Sequence, residues 1–192
     1  MDEIVKQAMS RWPNVPNCFG WLALDRRGQW RMRNEFAQQH GLSGDPIRHE
    51  ALVAFITRNY THDANGAWYF QNGPQRVFVS LMYAPWIARL HQGAFTTSTG
   101  KPFTPNACFA DEHGNVVLAG QVDGVEGADG MQAALLHDHD LDAFSTMSDW
   151  HGEACGAALG VFHYNGQAID IEPITEAEVP RRFGFVRTPA AA

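Results

Sequence analysis

Residues 63–82 read DANGAWYFQNGPQRVFVSLM, and this stretch decides the fold class of the chain. A turn-forming DANG tetrapeptide leads into an aromatic segment. Asn72-Gly73-Pro74 forms a second turn, after which apolar and polar residues alternate through Val77, Val79 and Leu81. Alternation with a period of two, bounded by Asn and Gly residues, is typical of β-strands joined by tight turns. We therefore expect antiparallel hairpins in this region.

The Asp-x-x-Gly pattern of the first of these turns recurs along the chain. Asp25 to Gly28 and Asp111 to Gly114 repeat it between apolar segments, and His163 to Gly166 is a weaker fourth turn without the leading Asp. Gly permits a positive φ angle, and an Asp side chain can accept hydrogen bonds from its own backbone, so both residues suit tight turns. The spacing of the turns is too irregular for a solenoid or a propeller.

Helices are predicted between the hairpins. Helical spacing of apolar residues over 2–12 predicts an N-terminal helix that Pro13 ends. Asp45-Pro46 predicts the start of a helix that runs to about Tyr60, because Asp suits the N-cap and Pro the first helical position. Shorter helices are expected at Ala84 to His91, over residues 131–150 with a break near His139, and after a capping box formed by Thr175 and Glu178.

Together these elements predict an α+β fold in which antiparallel β-hairpins pack with a few helices. We expect an N-terminal helix and connector over residues 1–18 and a first hairpin–helix–hairpin half over 19–92. A second half over 93–192 should hold a glycine-rich loop at 120–130 and a C-terminal hairpin. The two halves are either a duplication or independent hairpins that use the same common turn sequence. The chemistry of the turns alone does not decide between these alternatives.

Composition narrows the classes of function. The 192 residues carry a formal net charge of -7, with only short basic pairs such as Arg26-Arg27 and Arg181-Arg182, so we expect no nucleic-acid partner. No run approaches the roughly 18 apolar residues of a membrane span, so we expect no membrane partner. The acidic N-terminus does not have the features of a secretory signal, so we expect a cytoplasmic location. The cysteines, Cys18, Cys108 and Cys155, are expected to be reduced.

Six short motifs stand out within roughly residues 19–120: Gly28-Gln29-Trp30, Gly44-Asp45-Pro46-Ile47, His62-Asp63, Gly66-Ala67-Trp68-Tyr69, Gln75-Arg76-Val77 and Ala84-Pro85-Trp86. This stretch resembles a family of uncharacterised proteobacterial proteins that are classed as domains of unknown function. The resemblance implies a β-rich α+β fold with repeated motifs and a signalling or ligand-binding role. It supplies no catalytic residues, and residues 34–43 depart from the family pattern.

A candidate ligand site lies around the paired turns, where aromatic and polar residues cluster: Trp68, Tyr69, Asn72, Gln75, Arg76 and Tyr83. Aromatic walls with a few polar groups and one Arg would suit a small anionic or planar ligand. The alternative is that these aromatics are core residues or cross-strand pairs and that Arg76 pairs with a carboxylate.

A candidate metal site lies in the sequence His137-Asp138-His139-Asp140, with further possible ligands downstream: Asp142, Asp149, His151, Glu153 and Cys155. The set that we select is His137, His139, Asp149 and His151, since imidazole and carboxylate ligands suit zinc, iron or manganese. On a strand the first two histidines would share a face, whereas on a helix they would point about 200° apart. The alternative is a polar helix end exposed to water.

Catalytic motifs do not emerge from the sequence. There is no G-x-S-x-G element, the glycines at 120–127 lack the Lys-Ser/Thr ending of a P-loop, and Cys155 with His151 matches no family motif. We therefore predict a non-enzymatic cytoplasmic module that binds a small ligand or a protein partner, with a regulatory role. The alternatives are a metal-dependent enzyme that uses the His137–His151 region and a structural homodimer with exposed strand edges. The sequence identifies no cofactor.

Overall fold

The computed structural model describes residues 1–125, 131–151 and 158–191. Two mixed β-sheets with short helices account for most of them, and the predicted α+β class built on β-hairpins is confirmed. The chain divides into two units. Unit 1 holds Met1–Tyr83 with Gly184–Ala192, and unit 2 holds Ala84–Phe183. The predicted halves over 19–92 and 93–192, and their duplication, stay predictions.

Unit 1 contains a six-stranded sheet. Its elements are α1 Glu3–Arg11, β1 Cys18–Leu24, β2 Trp30–Met32, α2 Glu35–Gln39, β3 Asp45–Pro46, α3 Glu50–Arg58, β4 Tyr60–His62, β5 Trp68–Asn72 and β6 Gln75–Leu81. The strand order is β3-β2-β1-β6-β5-β4, and neighbouring strands are antiparallel except for the parallel pair β1 and β6. The predicted N-terminal helix and the hairpins on both sides of β5 are therefore present.

Unit 2 contains an eight-stranded sheet. Its elements are β7 Trp86–His91, β8 Ala94–Thr97, β9 Phe103–Ala110, β10 Val116–Val122, β11 Gln132–Leu136, a 3-10 turn Asp138–Asp140, α4 Leu141–Ser145, β12 Ser148–Trp150, β13 Gly160–Tyr164, β14 Gln167–Pro173 and α5 Val179–Arg182. The strand order is β12-β13-β14-β9-β10-β11-β7-β8, with parallel pairs at β14–β9 and β11–β7. No helix in the described ranges of the chain is long and apolar enough to cross a membrane.

The prediction that Asp45-Pro46 starts a helix is wrong. These two residues form β3, which pairs with Arg31 and Met32 of β2. The helix α3 begins at Glu50 instead, with His49 as its N-cap. The Nδ1 atom of that histidine accepts a hydrogen bond from the Leu52 N–H at 3.2 Å. Histidine is not among the residues that usually signal an N-cap, so the true start gave no sequence signal.

Two further helix predictions are wrong because buried strands replace the expected helices. Residues 86–91 form β7, which lies between β8 and β11, and its consecutive residues Trp86, Ile87 and Ala88 are all buried. Within 131–150, the segment 132–136 is the buried strand β11, and helical structure is confined to 138–145. A short apolar run that is covered on both faces shows no alternation, so periodicity cannot distinguish it from a buried helix.

The predicted glycine-rich loop at 120–130 does not begin at Gly120. Strand β10 continues through Gly120 to Val122. A Cβ atom on Gly120 would lie 2.0 Å from the carbonyl oxygen of Thr104, so this glycine permits the close approach of β9. Residues 126–130 of the predicted loop lie outside the described residues.

The three Asp-x-x-Gly turns share one hydrogen-bond pattern. In each turn the Asp Oδ1 atom accepts from the backbone N–H groups two and four residues further on, with distances of 2.8–3.0 Å at Asp25, Asp63 and Asp111. The glycines have φ angles of 75° to 78°, which favour a residue without a Cβ atom. One carboxylate oxygen thus satisfies two backbone donors in every turn, and the predicted hairpin turns are confirmed.

A turn with the same backbone hydrogen bonds lies at Thr97 to Gly100, although it lacks the leading Asp. Thr97 N–H donates to the Lys101 carbonyl and Gly100 N–H donates to the Thr97 carbonyl, both at 2.8 Å, as in the Asp turns. The Thr97 hydroxyl takes the place of the carboxylate and accepts from Lys101 N–H at 3.2 Å. The turn before Gly166 is of a different type, with both Asn165 and Gly166 at positive φ.

We predict that Gly66→Ala costs more stability than the matched change Gly114→Ala. Both glycines have a positive φ angle, so alanine costs about 1–2 kcal/mol at either position. At Gly66, however, the added Cβ atom would lie 2.0 Å from the carbonyl oxygen of Gly184, while at Gly114 it meets nothing within 4 Å. Overpacking should add about 1–3 kcal/mol at the first position. Urea unfolding of both variants measures the difference, and equal losses would contradict the prediction.

Candidate functional site

A polar cleft of about 590 Å³ lies in unit 1 between the β5–β6 hairpin, α1 and the connector that follows α1. Gln71 and Arg76 contribute from the hairpin, Met9 from α1, and Asn14 and Asn17 from the connector. We call it the Arg76 cleft. Its volume lies within the range of about 300–1,000 Å³ that is typical of small-molecule sites.

The pairing of β5 with β6 places the two main polar groups of the cleft side by side. Gln71 and Arg76 are directly opposite each other in the antiparallel register. Opposite residues project from the same face of a sheet, with Cβ atoms about 5 Å apart. The neighbouring Phe70 projects from the other face, where it packs edge to face on Phe55 of α3 with ring centroids 5.3 Å apart. The cleft and α3 therefore occupy opposite faces of the sheet.

Arg76 is held by an aromatic ring and not by a carboxylate. Its guanidinium carbon lies 4.7 Å from the centroid of the Tyr69 ring, which is the geometry of a cation–π contact. Among the residues that the structure describes, no Asp or Glu forms an ion pair with Arg76. Stacking leaves the N–H donors at the edge of the guanidinium plane available to an anion.

Gln71 contributes a buried acceptor without a partner. The side chain is fully buried, and its Nε2 atom donates to the carbonyl oxygen of Gly73 at 2.9 Å. A carbonyl oxygen only accepts, so this bond sets the orientation of the amide and leaves Oε1 on the other side. Oε1 is buried and has no hydrogen-bond partner. A buried acceptor in this state costs about 1–3 kcal/mol relative to a satisfied one.

The structure gathers three of the six residues of the predicted ligand cluster, namely Tyr69, Gln75 and Arg76. Tyr69 lies under Arg76, and Gln75 Nε2 donates to the Pro16 carbonyl at 3.0 Å, which holds the connector against the hairpin. Trp68 lies on the opposite face of β5, where its ring packs against Tyr60 and His62.

Tyr83 is buried elsewhere in unit 1, with the Arg26 guanidinium carbon 4.8 Å from its ring centroid. Sequence reasoning missed Gln71, although two signals could have found it. Strand alternation places residue 71 on the same face as Tyr69, and an uncharged polar residue is unusual inside an aromatic strand.

A second concave surface of unit 1 offers a different chemistry. It encloses about 290 Å³ on the α3 side of the sheet, and Asn72 lies at its wall among apolar side chains such as Trp21, Met32 and Leu52. No charged side chain lines it. The uncharged lining distinguishes this surface from the Arg76 cleft, which holds a guanidinium group.

The residues of the predicted metal site lie in two places in unit 2. His137 is buried and caps the 3-10 turn, because its Nδ1 atom accepts from His139 N–H at 3.1 Å. The two imidazole rings lie edge to face with centroids 4.8 Å apart. Asp149 of β12 instead bonds His163 Nε2 of β13 at 2.7 Å, and His151 is exposed just after β12.

No group of three or more His, Cys, Asp or Glu side chains is placed to hold a metal ion within residues 1–125, 131–151 and 158–191. Glu153 and Cys155 lie outside the described residues. The structure therefore brings His137 and His139 together but does not join Asp149 to them, and the metal site stays a prediction.

Asp140 explains much of the acidic and histidine-rich motif in structural terms. Its Oδ2 atom accepts from Arg89 Nε at 2.7 Å and from the Leu90 N–H at 3.0 Å, which ties the 3-10 turn to β7. Burial acts to raise the pKa of Asp140, but the hydrogen bonds from Arg89 and Leu90 outweigh it and hold the pKa below its ordinary value. The carboxylate is thus a buried, ionised anchor.

The model of the family DUF2944, described as "Protein of unknown function (DUF2946)", matches residues 1–190, and the chain belongs to this family of proteins of unknown function. The predicted relationship to an uncharacterised domain of unknown function is confirmed.

A solved structure of a DUF1285 family protein from Silicibacter pomeroyi is similar, with 16% sequence identity and a TM-score of 0.51. The match covers 93% of this chain and 99% of that chain, and at this identity it shows a shared fold. No curated protein matches the chain.

We predict that His137 makes the protein less stable in mild acid. Burial, followed by the nearby Arg89, lowers the pKa of His137 below its ordinary value of 6.5. As the pH falls below about 6.5, the unfolded chain takes up a proton that the folded chain resists, so stability falls with pH in that window. In His137→Asn, the Asn Oδ1 atom can keep the cap while the titration is removed. Unfolding free energies at pH 7.5 and 5.5 should differ less in this variant than in the wild type, and an identical pH dependence would contradict the prediction.

Proposed function

We propose that the protein is a non-enzymatic cytoplasmic module that binds a small anionic molecule in the Arg76 cleft, in a regulatory role. The observation that carries this proposal is the state of Arg76. Its guanidinium stacks on Tyr69 inside a polar cleft of about 590 Å³ and has no carboxylate partner among the described residues. A carboxylate or phosphate would supply the missing acceptors in the paired geometry that guanidinium favours.

The charge of the whole chain limits the size and charge of the anion. With a net charge of -7, the protein repels polyanions at long range, so binding depends on the local field of one cation. Such a site favours a small anion of low charge over a polyphosphate or a nucleic acid. Since the cleft is open to solvent, affinity should fall as ionic strength rises.

The state of the thiols in the described residues supports a binding role over nucleophilic catalysis. Burial raises the pKa of the Cys108 thiol to about 12, so this side chain stays protonated at neutral pH. Burial also raises the pKa of Cys18. A raised thiol pKa is the opposite of what an activated cysteine nucleophile requires.

We predict that Arg76→Met weakens the binding of small anions by at least about tenfold, because a charged hydrogen-bonded contact contributes about 1.5–3 kcal/mol. Arg76→Lys should bind with intermediate affinity, since it keeps the charge and loses the planar donor pair. Isothermal titration calorimetry with succinate, malate and inorganic phosphate measures the effect.

The matched control is Arg181→Met, which removes an exposed arginine of α5 in unit 2 and should leave affinity unchanged. The proposal fails if the wild type binds none of these anions. It also fails if Arg76→Met binds them as well as the wild type does.

A further inference from the structure

We infer that Gln71 selects the ligand of the Arg76 cleft, and that the ligand is a small hydroxycarboxylate. Its carboxylate would pair with Arg76, and its neutral hydroxyl group would donate a hydrogen bond to Gln71. This inference rests on the proposed function and adds the chemical class of the ligand. It comes from a feature that anion binding alone does not explain, which is the unpartnered Oε1 atom of a fully buried glutamine.

The geometry of the hairpin requires one ligand to meet both groups. Gln71 and Arg76 are cross-strand neighbours on one face and both line the cleft. Their Cβ atoms are about 5 Å apart, as in other directly opposed pairs. A molecule whose carboxylate meets the guanidinium therefore places its adjacent carbon substituents near the glutamine.

The orientation of the Gln71 amide decides what that substituent must be. Nε2 already donates to the Gly73 carbonyl, so the atom that is left without a partner is the acceptor Oε1. An acceptor is satisfied only by an N–H or O–H donor. A second carboxylate or a methyl group at this place would leave it without a partner.

The number of acceptors favours a hydroxyl over an ammonium group. An ammonium brings three N–H donors and a charge, and burying it requires several acceptors. Among the described side chains that line the cleft, Gln71 offers one buried acceptor without a partner, whereas Asn14 and Asn17 are exposed to water. A hydroxyl brings one donor and matches one acceptor.

Paired ligands that differ only in the hydroxyl group test the inference. Malate and succinate form one pair, lactate and propionate another, and aspartate is the ammonium counterpart of malate. The wild type should bind malate at least about tenfold more tightly than succinate, because a site with a buried hydrogen-bonding group discriminates strongly against an analogue that lacks its partner.

The variant Gln71→Met separates selectivity from anion binding. It removes Oε1 with little change in length, so the ratio of malate to succinate affinity should fall towards one while succinate affinity stays near that of the wild type. Gln167→Met is the matched control, because it makes the same change at an exposed position of β14 in unit 2. Two measurements on the wild type require no variant to fold. One is the ratio of malate to succinate affinity, and the other is a shift of the Gln71 side-chain amide resonance with malate but not with succinate.

The outcomes distinguish this inference from the proposed function. If malate and succinate bind equally and both are lost in Arg76→Met, the inference about Gln71 is overturned and anion binding stands. If aspartate binds more tightly than malate, the hydroxyl class is overturned. If no carboxylate binds the wild type, the proposed function fails and the inference fails with it.

Discussion

The register of β5 against β6 is the constraint on which the candidate site depends. The strands are joined by a two-residue loop, Gly73-Pro74, in which Gly73 has a φ of 56° that a side chain would disfavour. That loop sets Asn72 opposite Gln75 and therefore Gln71 opposite Arg76. A slip of one residue would move a whole row of side chains to the other face of the sheet and separate the acceptor from the cation. The Gln71 Nε2 atom donates to the Gly73 carbonyl. The loop that sets the strand register therefore also sets the orientation of the Gln71 side-chain amide.

Local chemistry explains which parts of the fold could be predicted from the sequence. The Asp-x-x-Gly turns were predictable because all their hydrogen bonds lie within five consecutive residues and need no distant partner. Thr97 to Gly100 has the same backbone pattern but falls outside the Asp-x-x-Gly motif, since a threonine hydroxyl replaces the carboxylate. The errors at β7 and β11 have a long-range cause. These two strands pair in parallel with each other, and both contain consecutive buried residues. Strands of this kind lack the alternation of apolar and polar residues that identifies a strand with one exposed face.

The candidate site shows the same division between local and long-range information. The grouping of Tyr69, Gln75 and Arg76 was accessible because they sit on one hairpin, but Trp68 was grouped with them although adjacent strand residues point to opposite faces. Gln71 was overlooked for a different reason. An amide has both donor and acceptor atoms, and only the bond to Gly73 reveals which of them is left without a partner. The contribution of the connector, through the Pro16 carbonyl, required the tertiary structure.

Stability and binding place opposite demands on Gln71. For folding alone, an apolar residue of similar size would serve better at a fully buried position, because it would leave no acceptor without a donor. The amide does help the fold through the Gly73 carbonyl, yet a side chain with a donor and no free acceptor would do the same. Arg76 shows a parallel imbalance, because no carboxylate among the described residues forms an ion pair with it. One of these neighbouring groups lacks a donor and the other lacks an acceptor, and the ligand class that we propose carries both.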